Sequence, residues 1–155
     1  MRTSDKVAAQ FNDSDRKDPL HDQITMWAQE NAGYIYYEVN KNRINEHNSE
    51  DSLLATLDNL KCIWEQPLHR ERNFIAGYAD LLITYDGESK TNFHGIACEI
   101  KPRIDSIADV IRQIRYYKTL NIEGYMIAEF CVISPDDRYA KLLEDQGIYF
   151  IKYTP

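Results

Sequence analysis

The chain has 155 residues and a formal net charge of −7, with 43% hydrophobic and 28% charged residues. That length suits one domain with its own core, and the composition excludes a wholly disordered chain, collagen and a continuous coiled coil. The negative sign excludes a strongly basic nucleic-acid coat protein. It does not exclude a nucleic-acid enzyme, which needs only a local basic patch or bound cations at its site.

Residues 1–18 are polar and charged, without the apolar stretch of a secretory signal, and read as a loose leader ahead of a single domain over residues 19–155. Pro19 stands where a helix can begin, with Ile24, Trp27 and Ala28 on one face, and Gly33 is the expected stop. Tyr34 to Val39 is rich in β-formers but ambiguous, and Asn40 to Ser49 reads as a loop or frayed helix. A helix is expected from Ser49-Glu50, with Leu53, Leu54, Leu57 and Leu60 as its apolar stripe. Three strands follow: Cys62 to Leu68, Phe74 to Tyr85 and Phe93 to Arg103. The charged turn His69–Asn73 separates the first two, and the Asp86–Asn92 loop separates the second and third. Ile107, Val110, Ile111 and Ile114 mark a helix to about Leu120, Tyr125 to Ser134 reads as a strand, and Pro135 is expected to open a helix closed by Gly147. Tyr149 to Tyr153 is the last strand. A meander followed by strand–helix–strand crossovers implies an α/β fold, a mixed sheet with helices on its faces.

No apolar run approaches the ~18 residues a membrane helix needs. Cys62, Cys98 and Cys131 are odd in number, far apart and without a C-x-x-C pair, so reduced thiols and a cytoplasmic location are expected.

The chemistry is concentrated in the second and third strands. A hairpin centred near Ser89 or Lys90 makes Asp80 and Glu99 face each other, because residues equidistant from the turn pair across the ladder. Strand alternation then sends Glu99 and Lys101 to one face and Ile100 to the other. Two carboxylates side by side repel, and burial adds desolvation. A hard divalent cation relieves both penalties, so Mg²⁺ or Mn²⁺ is the expected cofactor. Two acids, a cation and an ammonium suit phosphodiester hydrolysis.

These residues resemble a known signature. Asp80 in Gly77-Tyr78-Ala79-Asp80, then Glu99-Ile100-Lys101, is similar to the D…(D/E)xK motif of the PD-(D/E)XK nuclease superfamily. Gln113-Ile114-Arg115-Tyr116-Tyr117, one helix later, resembles the QxxxY motif of its RecB-type branch. The likeness covers roughly residues 49–134, with Ala79 where many members have proline. It implies a restriction-endonuclease-like αβββαβ core and a metal-dependent deoxyribonuclease, endonuclease in preference to exonuclease. In that scheme Asp80 and Glu99 bind the metal with the Ile100 carbonyl, Lys101 positions or activates the water, and Gln113 and Tyr117 steer the DNA backbone or brace the site. The branch often adds an acid from its first core helix. Glu50 is the best candidate, with Glu38, Glu65 and Asp22 as alternatives.

Each assignment has a plainer counterpart. Asp80, Glu99 and Lys101 could be a cross-strand ion pair on a solvated face, Gln113 and Tyr117 ordinary helix surface, and Glu50 an acid satisfying a helix dipole. Arg103, Arg112, Arg115 and Lys118 suit phosphate contacts or a solvated helix face equally. DNA is the expected partner, without a membrane. A homodimer or a place in a larger nucleic-acid-processing assembly would let a small nuclease cut both strands. The rival function is a non-catalytic nucleic-acid-binding or protein-interaction domain on the same fold. His21, His47, His69 and His94 show no metal-binding spacing.

Overall fold

Asp18 caps α1 (Pro19–Glu30): its side chain accepts the N–H of Leu20 at 2.9 Å, and Pro19 enters the first turn with φ already fixed. His21, Ile24, Thr25 and Ala28 form the buried face of α1, at the spacing of one side of a helix. The computed structural model describes residues 15–47, 57–71, 74–85, 95–122, 125–126 and 129–155.

The first helix ends at Asn31 rather than Gly33, with both the main-chain N–H and the side-chain amide of Asn31 bonding the Trp27 carbonyl. A second helix, α2 (Ala32–His47), replaces the ambiguous Tyr34–Val39 segment and the expected loop after it. Tyrosine and valine favour strands, but Ala32, Ile35, Tyr36 and Val39 lie at helical spacing and are all buried. Packing of that face outweighs the local propensity. Gly33 lies inside the first turn of α2.

Seven strands form one mixed sheet among the described residues. They are β1 (Leu60–His69), β2 (Ile75–Tyr85), β3 (Ile96–Ile100), β4 (Asn121–Ile122), β5 (Tyr125–Met126), β6 (Glu129–Ser134) and β7 (Tyr149–Lys152), in the order β5-β4-β1-β2-β3-β6-β7. The first three make the expected antiparallel meander. Helix α3 (Ile107–Tyr117) then crosses to β6, parallel to β3, and α4 (Ala140–Asp145) crosses to β7, parallel to β6. Leu60, placed in a helical stripe by its spacing, instead begins β1. The expected long strand from Tyr125 is two pieces: β5 pairs back on β4, and that small hairpin touches β1 through His69 and Asn121. The last helix starts at Ala140 and not at Pro135, because Asp136 and Arg138 form a turn in which Arg138 bonds both Asp136 and the Ile104 carbonyl.

The core has two layers, one on each side of the sheet. Ile24, Ala28, Ile35 and Val39 pack on Leu81, Ile83, Ile96, Cys98, Ile100 and Ile133. On the other side Val110, Ile114, Tyr117 and Leu143 pack on Leu68, Leu82, Ala97, Phe130 and Val132. Strand β3 is buried from end to end, which is the environment of a central parallel strand. At the close of α4, Gly147 takes φ 75°, and the N–H groups of Gly147 and Ile148 return to Glu144 and Leu143 at 3.0 and 2.9 Å. This αL stop brings Ile148 against Leu143 in the core and turns the chain into β7. Cys62, Cys98 and Cys131 are free, with Cys62 only half-buried. Among the described residues no helix is long and apolar enough to cross a membrane.

Candidate active site

The β2–β3 ladder pairs Leu81 with Cys98, Leu82 with Ala97 and Ile83 with Ile96. One step further in the same register, Asp80 faces Glu99. Both sit where the sheet is covered: Asp80 is 3% exposed, Glu99 0% and Lys101 5%. The group therefore does not lie on a solvated sheet face.

A continuous chain of contacts joins these residues. Asp80 Oδ2 accepts the main-chain N–H of Ile100 at 2.8 Å. Lys101 is fixed by its own N–H, which donates to the Ile133 carbonyl at 2.9 Å. Its Nζ donates to Gln113 Oε1 at 2.7 Å, and Gln113 Nε2 donates to Glu99 Oε2 at 3.2 Å. Gln113 thus uses both ends of its amide to link the ammonium to the acid. It reaches them because α3 is started by Ser106, whose Oγ accepts the Asp109 N–H at 3.2 Å, and because Val110, Gln113, Ile114 and Tyr117 face inward together.

Tyr117 is fully buried one turn after Gln113, on the core side of the helix. Its ring lies over Gly77, where a Cβ would come within 2.8 Å of the Tyr117 Cε1 atom. A glycine three residues before Asp80 is what admits the ring. Burial first, then the nearby Glu99 charge, push the Tyr117 hydroxyl well above the ordinary tyrosine range, so it stays protonated.

Electrostatics mark Glu99 as the strained group. Burial and then the Asp80 carboxylate raise its pKa well above the ordinary value, against the pull of Lys101. Among the described residues, Glu99 Oε1 is buried and accepts no hydrogen bond, and buried Asp80 Oδ1 meets only the ion-pair approaches of His21 Nε2 at 3.3 Å and Arg16 Nε at 4.0 Å. Two adjacent buried acids, each with an oxygen lacking a well-formed hydrogen bond, fit a hard cation, which would engage both. The donor chemistry fits Mg²⁺ or Mn²⁺, ions that complete their shell with water and substrate oxygens. No cluster of three or more His, Cys, Asp or Glu among the described residues forms a cage for a metal.

Strand β1 is distorted next to this group. Trp64 pairs with Leu81 and Gln66 with Ala79, which places Glu65 opposite Asp80, and Glu65 takes φ 51°. Ile63 and Leu68, of opposite parity, pack against the same α3-side layer, so the strand exchanges faces between them. A non-glycine residue in left-handed backbone beside a buried acid is strain of the kind concentrated at functional sites.

No family model, curated protein or solved structure matches the chain.

The expected arginines lie on the surface. Arg103, Arg112 and Arg115 are exposed, and each contacts a surface neighbour: Asp105 at 3.6 Å, Asp109 and Gln146 respectively. They are not drawn into the buried group. Glu50 lies outside the described residues. Asp22 and Glu65 are exposed, and Glu38 bonds Lys41 at 3.0 Å.

Three groups join the site that sequence reasoning did not place there. His21, 6% exposed, brings Nε2 to 3.3 Å from Asp80 Oδ1. Burial works against its charge, but Asp80 and then Asp22 outweigh it and raise the imidazole pKa. The available signal was its position on the face of Ile24, Thr25 and Ala28. Asp15 bonds Lys101 Nζ at 2.7 Å, and Arg16 Nε approaches Asp80 Oδ1 to 4.0 Å. Both belong to the segment expected to be a loose leader, of which residues 1–14 lie outside the described residues.

Proposed function

We propose that this chain is a metal-dependent deoxyribonuclease on a restriction-endonuclease-like core, acting as an endonuclease. The observation that carries the reading is the buried, connected group of Asp80, Glu99, Lys101 and Gln113. Two adjacent buried acids adjoin an ammonium held in place from two sides. The meander β1-β2-β3 followed by α3 and a parallel β6 supports the αβββαβ arrangement.

Asp80 and Glu99 would hold Mg²⁺ or Mn²⁺, with the Ile100 carbonyl as a further candidate donor. When bound, the cation supplies Lewis acidity and lowers the pKa of coordinated water. The protein does the rest by placement. Ile100 fixes Asp80, and Gln113 fixes both Glu99 and Lys101. Lys101 offers a positive charge to a phosphate or to the attacking water without rearranging, which is how preorganised charge lowers a barrier. The exposed Arg103, Arg112 and Arg115 are candidates for contacts along the DNA backbone.

A second reading has its own observation. Asp15 on Lys101 and Arg16 beside Asp80 neutralise the site from within the chain, as expected of a non-catalytic nucleic-acid-binding or protein-interaction domain on this fold. The two readings separate on linear, circular, branched and single-stranded DNA, each incubated with the protein in Mg²⁺, in Mn²⁺ and in chelator. The nuclease reading predicts cleavage of at least one substrate with metal and none in chelator. Binding without cleavage in every metal condition would favour the second.

A further inference from the structure

The segment ahead of α1, helical at Asp15 and Arg16 and turning at residues 17–18, enters the site with charges opposite to those it meets. Asp15 presents Oδ2 to Lys101 Nζ at 2.7 Å, and Arg16 presents Nε to Asp80 Oδ1 at 4.0 Å while its guanidinium lies 5.4 Å from the centre of the Tyr78 ring. Backbone bonds shape the turn: the Asp18 N–H returns to the Asp15 carbonyl at 3.1 Å, and the His21 N–H to the Asp18 carbonyl at 2.9 Å. Asp18 also caps α1, so the helix start fixes where Asp15 and Arg16 can reach.

We propose that residues 15–18 are a strap that closes the acidic–basic site, with Asp15 occupying the place of a phosphate on Lys101 and Arg16 the place of a cation beside Asp80. The proposal rests on the nuclease reading for what the strap excludes. That the strap covers Lys101 is independent of that reading. A carboxylate and a phosphate oxygen compete for the same ammonium, and a guanidinium and a divalent ion compete for the same carboxylate. The hold is uneven. Asp15 makes a short charged bond. Arg16 stands at the outer limit of an ion pair, and its buried Nε and Nη2 atoms find no hydrogen-bond partner among the described residues. A cation settling between Asp80 and Glu99 would repel Arg16, and a phosphate arriving with it would displace Asp15. Metal loosens the Arg16 half and nucleic acid the Asp15 half, and the two together release the strap.

The test uses the full chain as wild type, Asp15→Ala, Arg16→Gln and the double variant. Both side chains are partly exposed, so these changes leave the core intact, and Asp15→Asn, which keeps an acceptor without the charge, is the conservative companion. Metal-free protein is acylated with a water-soluble amine reagent, and modification of Lys101 is followed by mass spectrometry, with the exposed Lys152 as internal reference. The double variant is expected to label Lys101 about tenfold faster, in proportion to the open fraction, with Asp15→Asn intermediate and Lys152 unchanged. Mn²⁺ affinity and DNA cleavage are expected to rise several-fold. Unchanged Lys101 labelling in the double variant overturns the strap. So does a drop in Mn²⁺ affinity in Asp15→Asn, which would make Asp15 a metal ligand rather than a cover. Faster labelling with no cleavage by any form upholds the strap and removes the nuclease reading.

Discussion

The carboxylate of Asp80 is fastened to the backbone of Ile100, its Oδ2 accepting that N–H at 2.8 Å. The first acid of the site is thereby anchored to the strand that carries the second. Asp80→Asn keeps an oxygen for this bond, whereas Asp80→Ala leaves a buried N–H unpaired, a loss of about 1–3 kcal/mol. Denaturant unfolding should find the Asn variant close to wild type and the Ala variant weakened by that amount. Cleavage should fall at least ~100-fold in both, as expected when metal coordination is lost. Wild-type activity in Asp80→Asn would remove Asp80 from the site.

Glu99 gives a prediction about pH. Burial, and next the Asp80 charge, hold its pKa well above the ordinary 4.5. The folded chain therefore binds this proton more tightly than the unfolded chain. In metal-free protein, stability should fall as pH rises from about 4.5 through the higher folded value. Glu99→Gln removes that slope. At pH 7 in chelator the variant should melt about 2–4 °C higher, roughly 1 kcal/mol, while losing cleavage. Melting curves across pH 4–8 check this, and a less stable Gln variant at pH 7 would show that the charge is well satisfied in the fold.

Gly77 is expected to tolerate no side chain. Its added Cβ would stand 2.8 Å from a ring atom of Tyr117, which is fully buried and closely surrounded. Gly77→Ala should destabilise by about 1–3 kcal/mol through overpacking, and it should shift Tyr117 and with it α3 and Gln113. Unfolding by denaturant measures the first effect. A loss of cleavage larger than the stability change explains would register the second.

Much of the site could be read from residue spacing because it depends on local rules. The midpoint between Asp80 and Glu99 falls at Ser89–Lys90, and the ladder Leu81–Cys98, Leu82–Ala97, Ile83–Ile96 has the same midpoint. Gln113 is brought in by helical periodicity from Val110 and Ile114. What escaped the sequence depends on contacts between distant segments or on competition between preferences. Lys101 and Asp15 are 86 residues apart, and no local pattern announces that contact. Helix α2 was obscured by tyrosines that favour strands, although its buried face was present at the right spacing. Strands β4 and β5 are two residues each, too short for alternation to show. The distortion at Glu65 has no sequence mark, since glycine or asparagine is the usual occupant of that backbone region.

The most direct measurement is cleavage of supercoiled plasmid by wild type and Lys101→Ala in Mg²⁺, with chelator controls and with circular dichroism to establish that the variant is folded. Wild type is expected to cut only with metal, and Lys101→Ala to cut more slowly by about two to three orders of magnitude with the fold retained. Equal cutting by a folded Lys101→Ala, or cutting by wild type in chelator, would contradict the nuclease reading.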